Sequence, residues 1–197
     1  MKRKLTLVST GIGNIKSVQN YLEFLDFKVT LSENFKKLFD APLNPIFIAG
    51  VASLDNKESL EEIKINLQKY VSAGVPIIGV CAGFQIFFKK ISEGQGNRGM
   101  GIFNKNVIPV NKNQKSSIGM YPIIFRDQTK KQLCFFCHTY GIDYDINNKQ
   151  DLAYYKLKNG KQILAMKQSQ NILGFQFHPE KSPFFNSNII TKFYNAH

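Results

Sequence analysis

The chain has 197 residues, 43% of them hydrophobic, and a formal net charge of +12. That length suits one domain with a sizeable core, and no run approaches the roughly 18 apolar residues of a membrane span. The charge invites a nucleic-acid reading, but the lysines stand singly or in pairs, as at Lys36-Lys37, Lys89-Lys90 and Lys130-Lys131, without an arm that joins them to stacking aromatics. The expectation is therefore a solvated basic surface and an acidic protein partner, with no nucleic acid and no membrane. The start, MKRKLTLVSTGIGN, is basic but lacks the long apolar region and cleavage site of a signal peptide. A cytoplasmic location and reduced cysteines follow as expectations.

Leu5 to Val8 reads as a first strand, followed by the turn Thr10-Gly11-Ile12-Gly13. Asn14 can cap a helix whose Ile15, Val18, Leu22 and Leu25 recur at helical spacing. FKVTL (27–31) is a second strand, and PIFIAG (45–50) a third, apolar throughout as a strand buried on both faces should be. SLEEIKINLQKYVSAG (59–74) is a helix with Leu60, Ile63, Leu67 and Tyr70 or Val71 inward and Gly74 as its stop. VPIIGV (75–80) is another buried strand, and AGFQIFFKKI (82–91) is expected to leave it as a helix.

This alternation predicts a parallel sheet with helices on both faces. From Met100 to Phe177 the chain changes to short strand-like runs, NVIPV, YPIIF, LCFFCH, LAYYKL, QILAMK and ILGFQFH. Turns such as Asn147-Asn148 and Asn159-Gly160 separate them, so an antiparallel sheet appended to the parallel core is expected. A last helix at 184–195 closes the chain. The fold class is α/β and flavodoxin-like.

The strongest local signal is IIGVCAGFQIFF. A buried strand ends at Val80, a helix begins at Ala82, and Cys81 is the pivot among Gly79, Ala82 and Gly83. This is a nucleophile elbow with cysteine in place of serine. A nucleophile on a sharp, strained turn needs neighbours with little or no side chain. A helix N-terminus there would favour the thiolate, the reactive form. The N–H of Ala82 would be available to an oxyanion. The bland reading is a small core cysteine after a strand.

A cysteine nucleophile needs a base, and the chain has three histidines. His197 is terminal. His178 lies in GFQFHPEKS, where Pro179 favours an extended conformation for it. Residues i and i+2 of an extended segment point the same way, so Glu180 could fix the tautomer of His178 and complete a Cys–His–Glu triad. His138 follows CFFC, whose spacing resembles a haem-attachment or zinc signature. No further Cys/His pair supplies tetrahedral ligands, so neither a metal nor a cofactor is expected. Cys134 and Cys137 are an odd number of residues apart, facing opposite ways in a strand, which suits neither a shared metal nor a disulfide.

GVCAGFQ, followed about a hundred residues later by GFQFHPEKS, resembles class I glutamine amidotransferases, and within them the glutaminase subunit of imidazole glycerol phosphate synthase. GIGNIKSVQNYLEFL, IAGVASL, GMGIFNKNVIPV and FFCHTYGI fit the same family along the whole chain, so 1–197 reads as one glutamine amidotransferase domain. The resemblance implies that Cys81 attacks the glutamine carboxamide to form a thioester, with His178 as base and then acid, oriented by Glu180. It implies an oxyanion hole from Gly50, Val51, Ala52 and Ala82, and substrate contacts from Gln85, His138, Thr139 and Tyr140. It places Lys181, Asn14 and Met120 on an interface with a (β/α)₈-barrel cyclase that receives the ammonia. The glutaminase pattern spans about Gly11 to Lys181, leaving no segment for an ammonia-accepting domain, which implies a heterodimer.

The chain departs from the family at Ala49, where proline is usual, and at Ala52, where the oxyanion loop usually has glycine. Ser9-Thr10 replaces Asp-Tyr, and Met120-Tyr121 replaces Trp-Asn. Three readings follow: histidine synthesis, ammonia supply for sugar amination in surface polysaccharide pathways, and a catalytically silent scaffold that binds a partner.

Overall fold

The computed structural model describes residues 2–8, 15–32, 38, 43–49, 57–92, 99–111, 113, 115–127 and 130–197, with backbone only for 57–63. The turn Thr10–Gly13, Asn14, Ser9 and the segment Gly50–Ala52 lie outside the described residues.

The chain runs β1 (Arg3–Val8), α1 (Ile15–Phe24), β2 (Phe27–Ser32), β3 (Ile46–Ile48), α2 (Lys57–Ser72), β4 (Ile77–Val80), α3 (Ala82–Gln85), β5 (Phe88–Ile91) and β6 (Phe103–Pro109). It continues with β7 (Ser117–Phe125), β8 (Lys131–His138), β9 (Tyr140–Gly141), β10 (Asp151–Lys156), β11 (Gln162–Ser169), β12 (Ile172–Phe175), a 3₁₀ turn (Pro179–Lys181) and α4 (Asn188–Asn195). One sheet has the order β2-β1-β3-β4-β12-β11-β10-β7-β8, and a small one the order β5-β6-β9. The pairs from β2 to β12 are parallel, and those from β12 to β8 antiparallel. This is the parallel core with an antiparallel extension that the patterning implies, except that β12, expected among the antiparallel runs, lies parallel to β4, and β6 pairs parallel with β5 in the small sheet.

Strands β3, β4 and β12 are buried at every residue. Alternate side chains enter opposite layers, as the strand period of two requires. Leu5, Leu7, Phe47, Ile78, Val80, Leu173 and Phe175 pack with Val18 and Leu22 of α1 and Ile190 and Phe193 of α4. Val8, Ile46, Ile48 and Ile77 pack on the other side with Leu67 and Tyr70 of α2 and with Phe84, Phe87 and Phe88. Each fully buried Phe contributes about 2–3 kcal/mol relative to an exposed one, so both faces of the sheet are firmly covered.

The helix expected over 82–91 is only one turn long. It ends at Gln85, and Phe88–Ile91 form β5, parallel to β6 in register Phe88↔Phe103. Phe84, Gln85, Ile86, Phe87 and Phe88 are all buried, so this run has no exposed face and carries no period to separate helix from strand. The N–H groups of Met100 and Phe103 donate to the carbonyls of Ile86 and Phe87, at 2.8 and 3.0 Å, and hold the segment open. The last helix likewise starts later than expected, at Asn188.

Beyond β12 the chain crosses to the free edge of β8, where His178 and Phe135 form an antiparallel bridge. The antiparallel strands thus curl back over the end of β4. That curl brings β8, the segment after β12 and the start of α3 to one place.

Candidate active site

Cys81 stands between β4 and α3 with φ 55° and ψ −115°, a left-handed conformation unusual for a residue with a side chain. Its N–H donates to Phe175 at 2.8 Å, and its carbonyl accepts from Phe84 and Gln85, both at 3.1 Å, so the strain is held from both sides. The flanking glycines are needed for close approach. A Cβ on Gly79 would lie 2.6 Å from the carbonyl oxygen of Gly83, and one on Gly83 would strike the carbonyl oxygen of Ile48. The elbow is therefore present, with the glycine requirement read from the sequence.

The helix that follows the cysteine is shorter than expected. A four-residue helix offers no long macrodipole to the sulfur. The groups around Sγ are instead the carbonyl of Cys137 at 3.7 Å, Nε2 of Gln176 at 3.9 Å and the hydrogen-bonded ring of His178. Ala82 opens the helix, where the backbone N–H has no intrahelical acceptor.

His178 is extended, at φ −97° and ψ 99°, as the following proline requires. Glu180 is not two residues along a strand, however. The 3₁₀ turn brings it back, with Lys181 N–H donating to the His178 carbonyl at 3.1 Å, and His178 Nδ1 lies 2.9 Å from Glu180 Oε1. A carboxylate only accepts, so Nδ1 carries the proton and Nε2 is the nitrogen left for the sulfur. Ser182 locks the turn, its hydroxyl donating to the His178 carbonyl at 2.6 Å and accepting from Phe135 N–H at 2.9 Å. Burial is the largest single influence on His178 and disfavours its charged form. The hydrogen bonds and charges of Cys81 and Glu180 together outweigh it and raise the pKa to about 10.

His138 does not turn toward the sulfur. Its Nδ1 is 2.7 Å from the Tyr140 carbonyl, which can only accept, so Nδ1 donates. Nε2 is then bare and accepts from the Tyr155 hydroxyl at 3.1 Å. With both nitrogens engaged inside the protein, the ring holds the Tyr140 backbone in place. Burial, helped by the nearby His178 charge and partly opposed by the Tyr140 hydrogen bond, lowers its pKa to about 4.

The folded-state value of His138 lies below the ordinary 6.5. Its contribution is therefore complete above pH 6.5 and is lost as pH falls toward 4. Thermal melts should report a loss on the order of 3 kcal/mol over that window, which His138→Gln flattens. A wild-type melting profile unchanged between pH 6.5 and 4 would contradict this assignment.

Gln85 is buried, and its Nε2 donates to the Tyr140 carbonyl at 2.8 Å and to Gln176 Oε1 at 3.0 Å. Thr139 Oγ1 lies 2.8 Å from Ser116 Oγ. Tyr140 sits in β9, opposite Pro109 of β6. Gln176, absent from the sequence-based set, is fully buried between Phe175 and Phe177. A glutamine inside an otherwise apolar run was the available signal.

Met120 pairs with Phe135 across β7 and β8 and is 38% exposed, and Lys181 Nζ lies 5.5 Å from the Phe135 ring centroid. Ile118 and Leu133 are exposed on the same face, beside exposed Cys137. Cys134 points the other way into the core, where burial, only partly offset by a Ser182 hydrogen bond, pushes its thiol up to about 12. Among the described residues, no three His, Cys, Asp or Glu side chains form a metal-holding group, and no helix is long and apolar enough to cross a membrane.

An α/β sheet that presents a strained cysteine to a histidine–glutamate pair is the architecture of amide-hydrolysing thiol enzymes. Residues 6–195 match the family model described as glutamine amidotransferase class-I, and the chain belongs to that family, whose members are enzymes. It is 29% identical over 189 residues to the imidazole glycerol phosphate synthase subunit HisH of Caldanaerobacter subterraneus subsp. tengcongensis, covering 89% of this chain and 90% of that one. It is 28% identical over 196 residues to the HisH of Methanocaldococcus jannaschii, covering 95% and 96%. Among solved structures, a glutamine amidotransferase matches with TM-score 0.71 at 16% identity, covering 96% of this chain and 97% of that one. PurLQS from Thermotoga maritima matches with TM-score 0.68 at 20% identity, covering 91% and 89%. These structural likenesses establish the fold.

Proposed function

We propose that this chain is the glutaminase subunit of a two-subunit synthase that makes imidazole glycerol phosphate in histidine biosynthesis, and that residues 1–197 act as one domain. The observation that carries the reading is the Cys81–His178–Glu180 arrangement in a chain similar along nearly its whole length to HisH subunits.

Glutamine would lie with its amino-acid end along Thr139 and Tyr140 and its carboxamide over Cys81. Both N–H groups of Gln85 are used within the protein, so its Oε1 is left to accept from the substrate ammonium. Sγ attacks the carboxamide carbon, and the developing oxyanion is held by Ala82 N–H with the Gly50–Ala52 segment. The charged His178 ring gives its Nε2 proton to the amide nitrogen, which leaves as ammonia, and a thioester remains. Water then attacks the thioester while His178 takes back a proton, releasing glutamate.

The apolar strip of Ile118, Met120, Leu133 and Phe135, with Lys181 at its border, would seat a (β/α)₈-barrel cyclase, an interface to which the family resemblance also assigns Asn14. Because ammonia released into water is protonated and lost, a docked acceptor gives the reaction its use. The departures at Ser9-Thr10, Ala49, Ala52 and Met120-Tyr121 favour a second reading, ammonia supply for sugar amination, in which only the acceptor changes.

The test is glutamate release from glutamine by the full chain mixed with the barrel cyclase of its own organism and that cyclase's phosphorylated precursor. Turnover that rises with cyclase and precursor is expected. Turnover only with a sugar-modifying synthase would move the acceptor to the second reading. Absence of turnover with either partner would leave the silent scaffold.

A further inference from the structure

Gln176 has no role in the mechanism above, yet it is the fully buried polar side chain beside the sulfur. Side-chain amide nitrogen and oxygen are told apart by their partners, and here the partners leave one choice. The Tyr140 carbonyl only accepts, so the nitrogen of Gln85 must face it, at 2.8 Å. The same nitrogen, with its second hydrogen, lies 3.0 Å from Gln176, whose oxygen must therefore face Gln85. The remaining end of Gln176 is its NH₂ group, which points at Cys81 Sγ from 3.9 Å.

The chain of donors thus starts at a fixed backbone carbonyl and ends on the nucleophile. His138 holds that carbonyl from the other side, with Nδ1 at 2.7 Å, and is itself held by Tyr155. The Gln176 backbone N–H donates to the Ala165 carbonyl at 2.9 Å, so the residue is pinned to β11 and cannot swing away.

We infer that Gln176 is a catalytic residue, an N–H donor that stabilises negative charge on Cys81 Sγ, and that Gln85 aims it. The inference deepens the glutaminase reading and rests on it for its use in turnover. A fixed dipole of this kind needs no reorganisation as charge develops on the sulfur. His178, with Glu180 behind it, is a titratable group that meets the sulfur, and the Cys137 backbone carbonyl faces it at 3.7 Å. His178 and Gln176 approach the sulfur as separate donors, so removing one leaves the other in place.

The experiment is alkylation of the full-length chain by iodoacetamide between pH 5 and 10, with the Cys81-containing peptide quantified by mass spectrometry so that Cys137 does not interfere. In Gln176→Glu an oxygen still accepts from Gln85, but an acceptor replaces the donor at the sulfur. Gln176→Met keeps the length and removes the donor. The pH of half-maximal Cys81 alkylation should rise by about one unit in Gln176→Glu and by less in Gln176→Met, with rates at pH 7 about 10-fold lower in the former. If Gln176→Met fails to fold, Gln176→Glu decides alone.

An unchanged midpoint in a folded variant would overturn the inference. Glutamate release is measured separately on the wild-type chain. A shifted midpoint without wild-type turnover would count against the glutaminase reading and leave the role of Gln176 at the sulfur standing. Turnover with an unshifted midpoint would do the reverse.

Discussion

Cys81→Ser is expected to lower partner-stimulated glutamate release by at least about 10⁴-fold, because losing a nucleophile that acts as a unit with its base costs on the order of 10⁶. The reason is chemical as well as geometric. A serine hydroxyl is far less acidic than a thiol and needs its base at the moment of attack. Contacts of 3.7 and 3.9 Å to the Cys137 carbonyl and the Gln176 nitrogen suit a sulfur and are too long for an oxygen, whose hydrogen bonds run near 2.8 Å. The smaller atom would therefore lose its surroundings along with its acidity. The backbone at this position would be unaffected, since serine tolerates the same strained turn in related elbows. A circular-dichroism melt close to wild type, beside steady-state glutamate release, would separate lost chemistry from lost fold. Retention of more than about one per cent of the activity would remove Cys81 from the proposed role.

The parts of this site that were legible in the sequence share one property: they are written in adjacent residues. The continuous apolar runs at 46–48 and 77–80 required a strand buried on both sides. Gly79 and Gly83 around Cys81 required a close backbone approach, and the clashes a Cβ would make with the carbonyls of Gly83 and Ile48 supply the reason. Pro179 required an extended His178, and φ −97° bears this out.

What was not legible depends on partners distant in the chain. The stop of α3 after Gln85 is set by β6, which meets β5 fifteen residues later at Phe103. A stretch such as 84–88, buried throughout and apolar but for Gln85, has no period that could reveal it. The return of Glu180 to His178 through a 3₁₀ turn reaches the same hydrogen bond by a different backbone path. His138 was marked only through the resemblance of FFCHTYGI to the family. Strand alternation turns its ring inward, onto Tyr155, a residue with no local mark of its own. Gln176 was visible only as a polar residue in an apolar run, and its meaning emerges once Gln85 and Tyr140 are brought beside it.

Glu180→Gln should separate the charge of the carboxylate from its hydrogen bond. Glu180 Oε1 accepts from His178 Nδ1 at 2.9 Å, while Oε2 is buried without a hydrogen-bond partner among the described residues. A glutamine can therefore keep its oxygen on Nδ1, preserve the tautomer and put its nitrogen where Oε2 was. What disappears is the negative charge. His178 is raised to about 10, against burial and with Cys81 and Glu180 as the opposing influences. The ring thus keeps its proton across neutral pH and can deliver it to the departing amide nitrogen. Activity should hold through pH 9 and fall as pH rises through about 10. In Glu180→Gln that alkaline limb should move down by at least about one unit, which lowers kcat/KM by about 2-fold at pH 9 and about 5-fold at pH 10.

Stability should follow the same sign. A histidine raised in the folded state contributes stability that is complete below its ordinary value of 6.5 and is lost as pH rises through about 10. The difference in melting temperature between wild type and Glu180→Gln should therefore be full below pH 6.5 and close as pH passes 10. The two profiles check each other, because activity reads the proton on Nε2 and melting reads the ion pair that keeps it there. An alkaline limb and a melting difference both unmoved by Glu180→Gln would mean that His178 draws its charge from Cys81 alone, and Glu180 would lose its place in the triad.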